Sequence, residues 1–460
     1  MSDTTETTKS SATFAGIEIQ QGLTKKNYFF LFLNTFFAGI LMSVLGILQP
    51  VFLKDIIGVS PDFFGSINGL LMNINEVATL TLVAVVGALS DKNGRKILAF
   101  LGFILLAVSF FLLSMSNQLA EFFNVSSCFS SQLCAFLSFV PSESEKFTSF
   151  APGLFITYIV RLFVGIGIVL VFPQFIAMVA DYTHEKDRGK GMAFNGLMMG
   201  VSSLVVFGAL AQVLKNSGVQ SLFYIISVIA LAGALCTWLF LKERLPQQKE
   251  DNKGLKELFG VVSKSLTLKT SYLCTLITRA DIIVIAAFFM AWAVKISDSY
   301  GMTSGEATQK AAMAMIVMSI ASLFAFPIVG TLLDKWGRIP TLILSISLGG
   351  AGMLLLSVCA DPFSGMVYPA MILLSFGIAG SISGANTLAT DASPPEMVGT
   401  VLGGLNTMQP IGIMLFMGLG GYMFDTFGPG WAFAVKGLAS LLLALWLFLI
   451  KNRINTEKLA

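Results

Sequence analysis

The chain has 460 residues, of which 55% are hydrophobic and 12% charged, and a formal net charge of +3. This composition excludes an ordinary soluble globular domain, in which about a quarter of the residues are charged. The small net charge does not indicate nucleic-acid binding. Charge-free runs such as Ile97–Met115 and Leu222–Leu241 can each cross the roughly 30 Å of hydrocarbon in a bilayer, which takes about 20 helical residues. The sequence therefore predicts an integral membrane protein.

The N-terminal end of the chain is polar and carries acidic residues near its start. It lacks the basic region and short apolar core that define a cleaved signal peptide. We therefore expect the first 24 residues to be mobile, within a cytoplasmic tail that covers residues 1–27. The first spanning helix then acts as its own insertion signal.

Twelve apolar segments follow this tail, each with the length typical of a spanning helix. They lie near residues 28–53, 64–88, 97–115, 152–174, 192–214, 221–241, 271–295, 309–333, 340–358, 366–389, 399–422 and 430–450. We expect residues 28–241 and 271–450 to form two six-helix bundles. A basic cytoplasmic linker at 242–270 joins them, and a short tail follows at 451–460.

The basic residues are distributed unequally between the two sides of the predicted membrane. The tails and the loops on their side hold 21 of the 29 Lys and Arg residues, and three more lie inside segments. The opposite loops hold five: Lys54, Lys146, Lys215, Lys295 and Lys310. Because cytoplasmic loops carry the excess of positive charge, we expect both termini in the cytoplasm, in a plasma membrane or a bacterial inner membrane.

The long outer loop at 116–151 contains two cysteines, Cys128 and Cys134, and an Asn-Val-Ser triplet that begins at Asn124. A disulfide between the cysteines and a glycan on Asn124 in a eukaryote are both open from the sequence. We favour two unpaired thiols and a chance triplet.

A charged phrase between segments two and three returns between segments eight and nine. The first copy is GALSDKNGRKIL at 87–98, and the second is GTLLDKWGRIPT at 330–341. At a spacing of 243, the phrases pair Gly87 with Gly330, Asp91 with Asp334, Gly94 with Gly337 and Arg95 with Arg338. A second spacing of 210 relates Asp181 to Asp391, and the difference of 33 residues fits an insertion in the long outer loop. The chain is therefore predicted to be a duplication, an architecture found in transporters.

The repeated phrase resembles motif A of the major facilitator superfamily, including the degenerate second copy of that family. Arg161-Leu-Phe-Val-Gly165-Ile-Gly167 resembles its motif B, with Val164 where glutamine is usual. The stretch from Asp181 to Gly189 resembles the loop that commonly follows. This resemblance implies an all-α membrane protein with 12 transmembrane helices arranged as two pseudo-symmetric six-helix bundles.

The resemblance also implies that the two phrases act as latches that close when the protein faces outward. Asp91 would then meet the start of segment eleven, and Asp334 the start of segment five, where exposed amides favour negative charge. Arg95 and Lys96 would pair with acids such as Asp181 and with lipid phosphates. The alternative is that the basic residues only orient the helical hairpin in the membrane. This explains the basic residues but not the recurring glycines and aspartates. The predicted gating residues are Gly87, Asp91, Gly94, Arg95, Asp181, Arg188, Gly330, Asp334, Gly337 and Arg338.

Four ionisable residues lie near the middle of their segments: Glu76, Arg161, Arg279 and Asp281. An unpaired charge at that depth costs at least about 3 kcal/mol, so each is expected to face a partner or a watery cavity. The repeat spacings match none of them to an ionisable residue in the other half. We therefore assign them, with Asn73 beside Glu76, to substrate binding or coupling rather than to the scaffold.

In the superfamily, segments one, four, seven and ten line the central cavity, which implies a cavity position for Arg161, Arg279 and Asp281. Glu76 and Asp281 are the candidates to take up a proton, and the two arginines are candidates to hold an anionic substrate group. Static salt bridges are the alternative. Because Arg279 and Asp281 are two residues apart on a helix, at most one of them points straight at the cavity.

The sequence thus predicts a secondary active transporter that moves a small organic solute, anionic or amphiphilic, by alternating access with proton coupling. The alternatives are an uncoupled facilitator and a transporter-like membrane sensor or partner-binding protein. We expect no enzymatic activity, no cofactor and no metal site, since the single histidine is His184 and the sequence has no nucleotide-binding glycine loop. The expected partners are the solute, a proton and membrane lipids, for a monomer that binds no nucleic acid. Substrate identity and the direction of transport stay open.

Overall fold

The computed structural model describes residues 13–140, 145–243, 255–394 and 397–456. It is helical apart from a small antiparallel hairpin of β1 (Thr13–Phe14) and β2 (Ile17–Glu18). Helix bounds below include the short 3-10 and π turns of the longer helices. The helices are α1 (Lys25–Ile57), α2 (Pro61–Asn93), α3 (Arg95–Ser114), α4 (Ser116–Phe122), α5 (Ser127–Ser138), α6 (Glu145–Tyr182), α7 (188–217), α8 (219–240), α9 (Leu255–Lys264), α10 (Leu266–Lys295), α11 (Ser304–Lys335), α12 (Arg338–Ser357), α13 (Val367–Asp391), α14 (Val398–Thr426) and α15 (Pro429–Thr456).

The helices cross the membrane twelve times. In the described residues, eleven continuous helical stretches are long and apolar enough to span it, and one of them, Glu185–Phe240, has 56 residues. At 1.5 Å per residue it would be about 84 Å long, far more than one crossing needs. Its backbone turns at Gly218, where φ is 76° and ψ is 173°. The stretch is therefore two spanning helices, α7 and α8, and the prediction of twelve transmembrane helices in two bundles is confirmed.

The two bundles repeat the same packing. In the first, α3 packs against α6 and α8, and in the second, α12 packs against α13 and α15. The repeat spacing of 210 relates Gly167 of α6 to Gly377 of α13, and both occupy a close contact with the preceding spanning helix. A Cβ atom on Gly167 would lie 3.3 Å from the Gly102 carbonyl oxygen, and one on Gly377 would lie 2.4 Å from the Gly349 Cα. Small residues are retained here because the backbones approach so closely.

Among the described residues, the closest contacts between the two bundles lie toward one end of the molecule. We call the end at which α1 begins and α15 ends the terminal face, and the other end the opposite face. On the opposite face α2 and α14 are in backbone contact, since a Cβ on Gly69 would lie 2.5 Å from the Met417 carbonyl oxygen. On the terminal face, Gly87, Gly189 and Gly403 have no neighbouring atom within 4 Å of such a Cβ. A cleft between the bundles therefore opens toward the terminal face.

The described part of the predicted N-terminal tail is folded rather than mobile, which corrects our expectation for residues 13–24. Ile17 and Ile19 are buried, and Ile19 forms a β-bridge with Thr183. The backbone N–H of Glu18 donates to Asp187 Oδ2 at 2.9 Å. Alternating apolar and polar residues gave this segment the period of a strand with one buried face. Residues 1–12 lie outside the described residues.

The predicted linker at 242–270 is partly helical, which the sequence reading missed. α9 lies within it, and α10 begins at Leu266 rather than near 271. Polar residues at the start of α10 hid this boundary, since Ser271 is buried and donates to the Ala385 carbonyl oxygen at 2.6 Å. Residues 244–254 of the linker lie outside the described residues.

The long outer loop also contains two helices, α4 and α5. Cys128 and Cys134 both lie in α5 and are unpaired, with Cys128 exposed and Cys134 buried against α6. This arrangement agrees with the prediction of two unpaired thiols.

Candidate functional site

The opposite face is closed by a carboxylate of one bundle on a helix start of the other. Asp425, near the end of α14, accepts hydrogen bonds of 2.7 Å from the backbone N–H groups of Gly65 and Ser66. These amides belong to the first turn of the α-helical part of α2, which begins at Phe64. The first amides of a helix have no partner within the helix and carry its positive partial charge, so a carboxylate there is stabilised. Asp425 therefore ties α14 to α2.

Charged residues at the end of α1 form a second tie between the bundles. Lys54 pairs with Asp298 at 2.7 Å and donates to Ser297 Oγ at 2.8 Å. Asp55 accepts from Ser304 Oγ, at the start of α11, at 2.6 Å. Both contacts cross from the first bundle to the second on the opposite face.

Deeper in the interface, side-chain amides connect four helices, α1, α2, α10 and α14. Gln49 of α1 donates to Asn68 Oδ1 of α2 at 2.6 Å, and Asn68 Nδ2 donates to the Ala287 carbonyl oxygen of α10 at 3.1 Å. Asn73 Nδ2 donates to the Met414 carbonyl oxygen of α14 at 3.2 Å. The contact of the bundles thus reaches about half the depth of α2, near Asn73.

On the terminal face, the described ion pairs and hydrogen bonds of the first phrase lie within its own bundle and the start of the linker. Arg95 pairs with Asp181 at 2.6 Å, as expected, and with Asp91 at 3.5 Å, while Asp91 is 61% exposed. The backbone N–H groups of Arg95 and Lys96 donate to the Glu243 carboxylate. Gly94 has a φ of 98°, a conformation that favours glycine, which explains its place in the phrase.

The second phrase has the same pattern. Arg338 pairs with Asp334 at 3.1 Å and with Asp391 at 3.0 Å, and Gly337 has a φ of 93°. Gly330 has no neighbour within 4 Å of an added Cβ, and Arg188 has a weak pair with Glu185 at 3.8 Å. The contacts of Asp91 and Asp334 with the other bundle require the terminal face to close, so they stay a prediction.

Arg161 lies inside the first bundle rather than at the cleft surface. Its side chain is 2% exposed, its Nε donates to the Leu71 carbonyl oxygen at 3.3 Å, and its Nη2 lies 3.6 Å from Met72 Sδ. In the described part of the chain it forms no ion pair. Its charge is nevertheless within electrostatic range of Glu76.

Glu76 lies one turn beyond Asn73 on α2, about 18 Å along the helix from Phe64. It is partly exposed, and among the described residues it has neither an ion pair nor a hydrogen bond. The neighbouring Asn73 Oδ1 is buried and also has no hydrogen-bond donor. Glu76 therefore lies one turn beyond Asn73, whose side chain donates to the Met414 carbonyl oxygen of α14.

Arg279 and Asp281 point to different surroundings, as their spacing predicted. The helical pattern of α10 is interrupted at Arg279 and Ala280, and a π turn follows at Ile285–Phe289. Arg279 is partly exposed, and its Nη2 donates to Asn386 Oδ1 of α13 at 2.9 Å. It has no carboxylate partner in the described residues, and its buried Nε has no acceptor.

Asp281 turns instead into the second bundle, where it forms a buried ion pair with Lys436 of α15. Lys436 is 1% exposed, donates to Ser440 Oγ at 3.1 Å and lies 4.8 Å from the centre of the Phe416 ring. The expected cavity position of Asp281 is therefore wrong. The partner could have been suspected from the sequence, because Lys436 is a further charged residue inside a predicted segment, six residues from its start.

Comparison with known proteins agrees with this architecture. The model of the Major Facilitator Superfamily matches residues 31–301 and 272–459. Magnetosome protein MamH of Paramagnetospirillum magneticum (strain ATCC 700264 / AMB-1) is 23% identical over 423 residues, which cover 92% of each chain. Magnetosome protein MamZ of the same strain is 26% identical over 91% of this chain, which spans 62% of the length of MamZ.

A solved structure of a mutant of the nucleoside transporter NupG has the same fold. The two superpose with a TM-score of 0.69 at 12% sequence identity, and the match covers 92% of this chain and 99% of NupG. With the twelve crossings, the duplicated bundles and the family match over almost the whole chain, the conclusion is that the protein belongs to the Major Facilitator Superfamily and is a secondary transporter, not an enzyme.

Proposed function

We propose that this transporter moves a small organic anion across the membrane together with a proton. The observation that carries the proposal is a pair of unpaired ionisable side chains of opposite sign, Glu76 in the first bundle and Arg279 in the second. Both are partly exposed, and neither has an ion-pair partner among the described residues. Since an unpaired charge within a membrane segment is costly, such residues are expected to serve ligands or protons.

Arg279 is the proposed anchor for the anionic group of the solute. Its guanidinium group is planar and has five N–H donors, one of which donates a hydrogen bond to Asn386 Oδ1. The buried Nε–H has no acceptor, and a carboxylate or phosphate would satisfy it in the two-pronged geometry that arginine favours. Asn386 holds the side chain in place without neutralising its charge.

Glu76 is the proposed proton carrier. It is a better candidate than Asp281, because Asp281 is held in a buried ion pair with Lys436. When the cleft closes over Glu76, an ionised carboxylate would lose water without gaining a counter-charge in contact with it. A proton removes that cost of about 3 kcal/mol, so closing the terminal face favours the protonated form.

The proposed orientation places the terminal face in the cytoplasm, because the tails and loops on that side hold 21 of the 29 basic residues. The structure then corresponds to a state open to the cytoplasm. A plasma membrane or a bacterial inner membrane is the proposed location. The magnetosome membrane is a second candidate, suggested by the likeness to MamH over 92% of the chain.

Screening and transport assays test the function together. Purified protein is screened by thermal shift against small organic anions at two pH values, and each hit is assayed for uptake into proteoliposomes with and without a pH gradient. We expect Arg279→Gln to abolish the shift, whereas Arg453→Gln, a change at an exposed arginine near the end of α15, leaves it intact. Hits that bind Arg279→Gln as they bind the wild-type protein would contradict the anchor.

The same assay separates coupled transport from an uncoupled facilitator. We expect Glu76→Gln to lose gradient-driven accumulation while retaining exchange of labelled for unlabelled solute. Glu121→Gln, a change at an exposed carboxylate of α4, is the matched control. Equal uptake with and without the gradient in the wild-type protein would identify a facilitator.

A further inference from the structure

The outer-loop helix α5 has the reverse of the burial pattern of a water-soluble surface helix. Its small and mostly polar residues face the protein, and they are buried: Ser130, Ser131, Cys134, Ala135 and Ser138. Its phenylalanines are exposed, with Phe136 at 75% and Phe139, which follows the last residue of the helix, at 88%. A helix at an aqueous surface normally buries its apolar side and exposes its polar side.

The position of α5 along α6 places it at the level of the membrane. Ser138 Oγ is hydrogen-bonded to Tyr158 Oη at 2.7 Å, and Cys134 Sγ lies 3.9 Å from the Ala151 carbonyl oxygen. The charge-free stretch of α6 begins at Phe147, so Tyr158 is about 16 Å along the helix from that point. The end of α5 therefore lies beside the apolar part of α6 rather than above it.

The exposed phenylalanines continue an apolar surface that belongs to a spanning helix. The rings of Phe129 and Phe155 are in edge contact, with 5.9 Å between their centres. Further along α6, Ile159, Leu162 and Phe163 are exposed on the outside of the bundle. Residues 127–140 contain no charged side chain, and the one large polar side chain on this surface is Gln132, whose Nε2 lies 3.9 Å from Cys128 Sγ.

We propose that α5 is a lipid-contacting helix, which inserts its phenylalanine face into the hydrocarbon of the membrane leaflet on the opposite face. The occupant of the surface is lipid acyl chains, because the surface is uncharged, continuous with α6 and at membrane depth. Phe122 and Phe123, exposed at the turn after α4, would then lie at the level of the headgroups, where aromatic rings are favoured. The outer-loop insertion, which only the first bundle has, would thus enlarge the contact of that bundle with lipid in the leaflet on the opposite face.

Spin labelling in proteoliposomes tests this proposal. The five cysteines are replaced by alanine, and a nitroxide is attached at Phe136→Cys, at Phe163→Cys as a lipid reference, or at Glu185→Cys as a water reference. Oxygen partitions into hydrocarbon, whereas a neutral nickel chelate stays in water, so the ratio of their collision rates reports the surroundings. We expect the ratio at 136 to match that at 163 and to exceed that at 185 by about tenfold, given the cost of moving polar groups into hydrocarbon.

Two outcomes would overturn the proposal. A low ratio at 136, with frequent nickel collisions, would place the face in water. Low collision rates with both reagents would place it against protein, such as a second copy of the chain. If the cysteine-free protein does not fold, the unmodified chain is photolabelled in liposomes by a lipid with a diazirine on its acyl chain. We then expect residues 127–140 to be labelled as strongly as residues 159–163. Labelling of residues 127–140 no higher than that of residues 183–190 would contradict the proposal.

Discussion

Asp281 and Lys436 illustrate how a charge within a membrane can be structural. Both side chains are almost completely buried, they belong to different helices, and Lys436 has additional contacts with Ser440 and the Phe416 ring. A buried ion pair contributes little net stability compared with apolar residues, but removing one partner leaves the other uncompensated. The pair therefore fixes α10 against α15.

Removal of one partner is expected to destabilise the protein strongly. Lys436→Met leaves the Asp281 carboxylate buried without its counter-charge and should lower the free energy of unfolding by about 3–5 kcal/mol. The double change Asp281→Leu with Lys436→Met should recover most of the loss. Thermal unfolding in detergent measures both, with Lys310→Met, at an exposed lysine, as the control. A double variant no more stable than Lys436→Met would show that the pair is not the cause.

At the scale of elements, the helix pair α2 and α14 carries a carboxylate site at each end. On the opposite face, Asp425 of α14 binds the first amides of α2. On the terminal face, the resemblance to motif A implies that Asp91 of α2 would bind the start of α14 when that face closes, which stays a prediction. Since the two helices are antiparallel, the two sites are alternatives: a tilt that forms one separates the other. Such a pair of sites would serve the alternating access that we propose.

Loss of the Asp425 carboxylate is expected to favour opening of the opposite face. Asp425→Asn removes two charge-assisted hydrogen bonds, each worth about 1.5–3 kcal/mol in the closed state. Electron–electron distance measurements between spin labels at the ends of α2 and α14 on that face should show a larger open fraction. Asp62→Asn, at an exposed aspartate close to the start of α2, should leave the distances unchanged. An unchanged distribution in Asp425→Asn would mean that this contact does not hold the face closed.

Glycines at the two ends of α2 are expected to have opposite effects on the same distances. In Gly69→Val the new side chain collides with the Met417 backbone, which opposes closure of the opposite face. In Gly87→Val the side chain meets no neighbouring atom in the present state, so it should oppose only closure of the terminal face. The distances across each face measure this difference, and identical shifts in the two variants would contradict the separate roles.

At the scale of the whole molecule, the features that repeat were predictable and those that occur once were not. The glycines and charges at 87–95 and 330–338 recur in register, and both positive-φ glycines, Gly94 and Gly337, lie where the phrase places them. The partners of single charges depend on which helix faces which, so the sequence did not reveal that Asp281 meets Lys436 or that Arg161 is enclosed. The folded hairpin at 13–18 was missed because its strands have two residues each, and an apolar–polar alternation as short as that of residues 17–20 does not distinguish a strand from a loop.

The twelve segments were predictable because hydrocarbon imposes a length on each helix. The short helices at the membrane boundary, α4, α5 and α9, were not predictable. They are too short to span the membrane, and they do not pack on the core of a water-soluble domain, so neither pattern marks them in the sequence. The four ionisable candidates were singled out by their lack of counterparts in the repeat, and their role in binding or coupling stays a prediction. Only the contacts in the structure distinguish Glu76 and Arg279, which have no ion-pair partner among the described residues, from Asp281, which has one.

The central claim is that protonation of Glu76 permits the terminal face to close as the opposite face opens. Distances between spin labels across each face, measured in nanodiscs on acidification, test it most directly. In the wild-type protein we expect the terminal-face distance to shorten and the opposite-face distance to lengthen. In Glu76→Gln we expect both shifts already at neutral pH, with no further response to acid. The account would be contradicted if the distances in the wild-type protein do not change with pH, or if those in Glu76→Gln change with pH as much as those in the wild-type protein.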